Sequence, residues 1–489
     1  MCRSIRRNRT LSATMMRFRK ADPMTTRPIR FNAFDMSCVG HISSGLWRHP
    51  ADQAQRYTDI SYWTELAKLL ERGKFDGIFI ADVLGTYDVY AGNADAAIKH
   101  GSQVPVTDPL LVVSAMAAVT EHLGFGVTAG TAYEHPYPFA RRLSTLDHLT
   151  KGRVGWNVVT GYLPSAARNM GHDDQLEHDR RYDIADEYLE VLYKLWEGSW
   201  EDDAVERDRE TGVFTDPGKV HGIEHDGTYF KVPGIHLVEP SPQRSPVIYQ
   251  AGASSRGIAF AAENAEAIFV AAPSKRVIAT QVKQIRDALE AAGRDRYAAR
   301  IYAMVTVIVD ETHEKAKAKE AEYLSYADDE AALVLMSGWM GADLSQYELD
   351  APIGAVKSNA IQSFVTSLQE DAAAGDEWTV RSLAEAGKIG GFGARIVGSA
   401  TEVADELERW VEETDVDGFN LAYAITPGTF EDIVEFVVPE LQRRGRYQTE
   451  YAPGTLRQKL HGRGDRLPVE HRGARYKVGA KVGADVAPE

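Results

Sequence analysis

Short apolar runs recur along the chain, and most are followed by a stretch whose apolar positions fall at helical spacing. The runs read as strands at Ile29–Met36, Asp76–Asp82, Gly124–Gly130, Arg153–Thr160, Pro246–Ala251, Ala267–Ala272, Arg300–Val309 and Gly418–Ala424. Between and after them, helices are predicted over Asp59–Arg72, Asp108–Glu121, Pro136–Leu149, Tyr182–Trp196, Ser254–Asn264, Lys275–Ala292, Glu314–Ala327, Thr401–Glu413 and Phe430–Arg444. Alternation of this kind predicts an α/β fold with a parallel sheet covered by helices, and eight repeats suit a closed (β/α)8 barrel better than an open sheet.

The length adds a constraint. At 489 residues the chain exceeds the ~250 usual for such a barrel, so insertions are expected. Two are assigned: residues 198–245, charged and turn-rich, and residues 328–398, with a short helical stretch and the run Gly390-Gly-Phe-Gly393. The barrel is placed at 29–460, between a basic tail at 1–28 and a C-terminal tail at 461–489. The first thirty residues carry nine Lys/Arg against one Asp, without the apolar core of an export signal. They read as a tail preceding the barrel.

Composition changes the picture mainly by exclusion. The formal charge of −16 disfavours nucleic acid and anionic lipid as partners. No apolar run reaches the eighteen residues of a membrane-spanning helix. Two cysteines, Cys2 and Cys38, cannot build a disulfide scaffold and fit a reducing cytoplasm. No Cys/His set has zinc-site spacing, so no metal is assigned.

Active sites in this fold gather at the C-terminal ends of strands. The residues there are Cys38 and His41 after the first strand, Asp82, Tyr87 and Gln103 after the second, Thr128 in the third, and Asn157, Thr160 and Tyr162 on the fourth. After the fifth comes Gln250-Ala-Gly-Ala-Ser-Ser-Arg-Gly257. A glycine-bearing turn into a helix exposes unpaired N–H groups, which suit a phosphate, with Ser254, Ser255 and Arg256 as added donors. A plain helix cap explains the same serines equally well. Glu177-His178-Asp179 reads as a solvated turn, and His221 and His225 as water-facing.

Several strings then carry a resemblance. Asn32–His41 (NAFDMSCVGH), Gly45–Pro50 (GLWRHP), Arg141–His148 (RRLSTLDH), Gly152–Val159 (GRVGWNVV), Arg181–Glu187 (RYDIADE) and Ser241–Pro246 (SPQRSP) resemble the luciferase-like flavin monooxygenases. The similarity is to the branch of the nitrilotriacetate and dibenzothiophene-sulfone enzymes, over about residues 29–460. It implies the barrel fold and a two-component enzyme. A separate NAD(P)H:flavin reductase would supply FMNH2, which would react with O2 to a C4a-(hydro)peroxyflavin that attacks the substrate. It also implies a homodimer or homotetramer.

Carried over position by position, the resemblance puts Ser254, Ser255 and Tyr182 at the FMN phosphate and Asp82, Thr128 and Asn157 near the isoalloxazine. Cys38, His41, Tyr87, Gln103 and Tyr162 would form the catalytic wall, with His41 giving or setting a proton on the reacting flavin. Tyr162 and Leu335 stand where alkane-oxidising members carry pocket histidines, which favours a small organic sulfide such as dimethyl sulfide. Riboflavin, cleaved to lumichrome, and long-chain alkanes are the alternatives within the branch. The 328–398 insertion is expected to cover the pocket. A flavin-binding protein without catalysis, or a metal-dependent barrel hydrolase, are the readings from other classes.

Overall fold

The structure, a computed structural model, describes residues 27–252, 254–353, 361, 368 and 378–478. Strands β1 (Arg30–Met36), β2 (Gly77–Ala81), β3 (Gly124–Gly130) and β4 (Val154–Val159) come first. A two-residue hairpin, β5 (His225–Asp226) with β6 (Lys231–Val232), sits in the first insertion. Then follow β7 (Val247–Ala251), β8 (Ala267–Val270), β9 (Arg300–Asp310), β10 (Ala394–Ser399) and β11 (Gly418–Ala422). Eight of them close a parallel ring in the order β1-β2-β3-β4-β7-β8-β9-β11, with β11 pairing back onto β1. This is the expected (β/α)8 barrel.

The ninth strand of the sheet, β10, was not expected. It pairs with Val305–Asp310 of β9, beyond the point where β8 leaves that edge at Ala303. Its six residues follow a glycine-rich run; in Ala-Arg-Ile-Val-Gly-Ser the adjacent Ile396 and Val397 blur the alternation of residue types, although burial alternates along the strand. Three helices also differ. The one expected over Tyr182–Trp196 starts earlier, at His178, and gives way after Tyr193 to a π turn at Lys194–Gly198. The one expected over Asp108–Glu121 is confined to Leu110–Ala118. The last is broken by a π turn at Ile433–Val437.

Inside the ring, large and small side chains alternate. Phe79 and Phe269 stand 4.2 Å apart, and Tyr249 stacks on Phe269 at 5.5 Å. Room for them comes from glycine: a Cβ on Gly155 would lie 2.3 Å from the Tyr249 ring. Outward residues such as Ile78, Ile80, Phe125, Val127 and Trp156 pack under the helices.

The N-terminal end of the barrel is closed by the helix Leu456–His461, whose Leu456 and Leu460 join the interior aromatics. The chain does not trail off after residue 460. His471 is fully buried, with its Nε2 2.8 Å from the Asn264 carbonyl, and a short 3-10 helix spans Arg472–Tyr476. Within the first insertion, His225 is buried between Glu187 (3.3 Å) and Lys194 (3.0 Å), while His221 stays part-exposed against Glu201. Only His221 therefore behaves as the charged surroundings suggested.

Candidate active site

One cavity of about 320 Å³ opens among the C-terminal ends of the strands. Eight of the eleven expected site residues line it: His41, Asp82, Gln103, Thr128, Asn157, Tyr162, Tyr182 and Ser254. Cys38, Tyr87 and Ser255 do not. Cys38 is buried and pairs with Val106 across an isolated bridge, and burial pushes its thiol up, so it is no thiolate. Ser255 opens the helix Ser255–Asn264 and is exposed. Tyr87 is buried one layer behind the wall.

The polar end is built on that helix. Ser254 Oγ accepts the Gly257 N–H at 3.1 Å, capping the helix in the way its residue type favours, and lies 3.3 Å from His178 Nε2. His178 begins the helix His178–Tyr193 and faces the cavity, so Glu177-His178-Asp179 is not a solvated turn. Three residues on, Arg181 brings a guanidinium that is 3% exposed. Tyr182 O–H lies 3.4 Å from Gln250 Nε2. Arg256 points away, held by Asp183 (3.1 Å) and Asp186 (2.6 Å), and is not a donor to the cavity. His178 and Arg181 went unread as ligand groups because their neighbours are strongly charged; the one signal for them was helical spacing, which aligns 178, 181 and 182.

Along the floor of the cavity, Asn157 Nδ2 donates to Thr128 Oγ1 at 3.0 Å. Asn157 Oδ1 is buried and has no partner among the described residues. Burial and the nearby Asp108 carboxylate raise Asp82 to about 7.

The far end is apolar, walled by Phe34, Ile42, Met304, Trp339 and Phe392. Here a hydrogen-bond chain fixes its own direction. Gln103 Nε2 donates to the His41 carbonyl at 3.0 Å, so its Oε1 accepts the Tyr87 O–H at 3.0 Å. Tyr87 has one proton and has committed it. Trp339 Nε1–H (3.1 Å) and the Tyr162 O–H therefore both donate to the Tyr87 oxygen. Tyr162, pushed up to about 12 by burial, keeps only acceptor capacity for anything else. Trp339 comes from the helix Asp329–Met340 of the second insertion, 252 residues from Tyr87. Leu335, on the same helix, packs in the apolar core and does not line the cavity.

His41 is 3% exposed, its Nδ1 has no partner among the described residues, and burial lowers its pKa to about 3. It is neutral at working pH and does not titrate near 7 as a solvent-exposed histidine would. Gly390 and Gly391 are not a loose hinge: a Cβ on either would meet Thr306 at 2.0 Å or Trp339 at 2.8 Å, and the run serves to seat Phe392. Residues 354–360, 362–367 and 369–377 of the expected cover lie outside the described residues.

The sequence pattern described as luciferase-like monooxygenase matches residues 41–418. The chain belongs to that family. It is 55% identical over 461 residues to the dimethyl-sulfide monooxygenase of Hyphomicrobium sulfonivorans, covering 94% of this chain and 96% of that one. It is 51% identical over 453 residues to the long-chain alkane monooxygenase of Geobacillus thermodenitrificans strain NG80-2, covering 92% and 98%. The crystal structure of riboflavin lyase with modified FMN and riboflavin superposes with a TM-score of 0.86 at 37% identity, covering 92% of this chain and 100% of the other. The protein is thus a monooxygenase of the luciferase-like family, with its cavity where that barrel places active sites. Among its described residues no helix is long and apolar enough to cross a membrane.

Proposed function

We propose that this luciferase-like monooxygenase is the oxygenase of a two-component system that takes FMNH2 from a separate reductase and, with O2, oxidises a small organic sulfide. Dimethyl sulfide is the first candidate. The observation that carries the reading is the division of a single cavity into a cationic, helix-capped end and an apolar aromatic end.

The residues present fit FMN. Arg181, Ser254, Tyr182 and the first N–H groups of the helix Ser255–Asn264 would hold its phosphate, because an anion gains there from both unpaired donors and the helix dipole. The unpartnered Asn157 Oδ1, with Thr128 and Asp82, would meet the polar edge of the ring. Bound FMNH2 supplies the two electrons that activate O2. The chain's own part is to keep the reacting centre dry, which Phe34, Met304, Trp339 and Phe392 do by lining the far end. His41 contributes a neutral imidazole rather than a charge. Tyr162 offers a fixed acceptor, since its proton is committed to Tyr87.

The test combines the protein with a generic flavin reductase, NADH and FMN, and offers dimethyl sulfide, riboflavin and a long-chain alkane in parallel. Loss of dimethyl sulfide with methanethiol and formaldehyde appearing is expected, one oxygen atom ending in formaldehyde and the other in water. Lumichrome from riboflavin, or an alkanol, with dimethyl sulfide untouched, overturns the sulfide reading.

A further inference from the structure

At the opposite end of the barrel a second cavity, of about 140 Å³, lies between the start of β9, the Arg294–Ala298 turn and the segment after the helix Leu456–His461. Five arginines line it, with Glu266 and Asp295 as the only carboxylates among its lining residues. Four of the five have carboxylate partners. Arg457 meets Glu266 at 2.6 Å, Arg463 meets Glu470, Arg466 meets Glu197 and Asp202, and Arg300 meets Asp417 at 3.2 Å. Asp417 is also shared with Arg286 at 2.7 Å.

Arg294 is the exception. It is 4% exposed, its Nη1 donates to the Ala262 carbonyl at 2.8 Å, and its Nε and Nη2 have no partner among the described residues. The Nε2 of His461 and the Nε of Arg466, on residues lining the same cavity, are also buried and unpartnered. Arg153 shows what a finished buried arginine looks like here: its guanidinium donates to the carbonyls of Thr150, Leu123, Ala117 and Thr120 and to the Thr120 hydroxyl. A guanidinium does not deprotonate, so Arg294 keeps its charge; Glu266 and Glu470 act on it through space, but neither reaches its Nε or Nη2.

We propose that this cavity binds a small tetrahedral oxyanion of the phosphate or sulfate class, with Arg294 as its buried anchor and Arg300, Arg463 and Arg466 around it. Three or four oxygen acceptors suit several guanidinium edges at once, and one ion joins the barrel floor to the closing C-terminal segment. The site is separate from the flavin cavity, and its role is structural: it ties down the end of the barrel that does no chemistry.

The test is calorimetric titration of inorganic phosphate into the full chain at fixed ionic strength, with chloride as the blank, alongside thermal unfolding. Arg294→Met and Arg181→Met run in parallel, because phosphate can also enter the polar end of the flavin cavity. Binding that survives Arg181→Met and weakens at least tenfold in Arg294→Met is expected. Phosphate should raise the wild-type Tm by about 2–5 °C and leave Arg294→Met unmoved. In chloride alone Arg294→Met should melt at or above the wild type, since methionine fills the space without stranding a charge. If that variant does not fold, Arg463→Gln, at the half-exposed rim, should weaken phosphate at least threefold. No wild-type binding beyond what Arg181→Met removes, or equal binding with Arg294 or Arg463 replaced, overturns the proposal.

Discussion

Two buried carboxylates at opposite ends of this barrel, Glu266 and Asp35, titrate in opposite directions. At the floor, Glu266 is held down to about 2: burial alone would raise it, and the bidentate Arg457 overrides that. Near the mouth, Asp35 is raised to about 7 because burial wins over hydrogen bonds from Met36 N–H and Tyr62 O–H. Asp82 is raised to a similar value. The floor meets its polar groups internally: Arg457 pairs with Glu266, and Asp147 accepts from Gln243 Nε2 at 2.7 Å. The mouth leaves Asn157 Oδ1 and His41 Nδ1 without partners among the described residues. A fold stabilises itself where polar groups find each other, and keeps binding capacity where they do not.

The contrast can be broken most sharply at the floor. Glu266→Gln leaves Arg457 buried without its counter-charge and should cost about 3–5 kcal/mol in urea unfolding, with turnover per folded molecule unchanged. In the wild type, Glu266 titrates below its ordinary value, so its contribution is present above about pH 4 and fades as pH falls toward 2. At the mouth, Arg181→Met should weaken FMN binding by about tenfold to a hundredfold, the loss of one charge-assisted contact, with a far smaller change in unfolding than Glu266→Gln. Flavin fluorescence quenching reads it. Asn157→Ala removes one neutral hydrogen bond and should cost about 1 kcal/mol or less while still lowering FMN affinity.

The pH slope of Asp35 tests the same contrast without touching the flavin end. Its folded pKa lies above the unfolded value near 4, so the native state holds the extra proton between about pH 4 and 7. Stability should therefore fall as pH rises through that window, by about 1.4 kcal/mol per unit for this one carboxyl, and Asp35→Asn should remove that share of the slope while the share of Asp82 stays. A wild-type profile that rises there, after the Glu266 contribution is complete, contradicts the assignment.

Much of the barrel was legible in the chain. Gly124–Gly130 and Pro136–Leu149 appear with the expected bounds, since strand and helix periods are local properties. β10 was hidden because its pairing partner, Val305–Asp310, lies far away in sequence and its own pattern is weak. The quoted family strings divide in the structure. Arg153, Asp147 and Gln243 serve the floor, whereas His41, Arg181 and Tyr182 serve the mouth, and no single string separates the two uses.

The sequence by itself determined the alternation of strands and helices, the closed ring that eight such repeats favour, and hence the end of the ring at which polar residues would gather. The chemical state of those residues came from packing. It made His41 neutral, committed the Tyr162 proton to Tyr87 because Gln103 takes the Tyr87 proton, turned Arg256 outward and His178 inward, and stranded Arg294. Burial and hydrogen-bond direction belong to the set of neighbours a group meets, and those neighbours are assembled only when the ring closes.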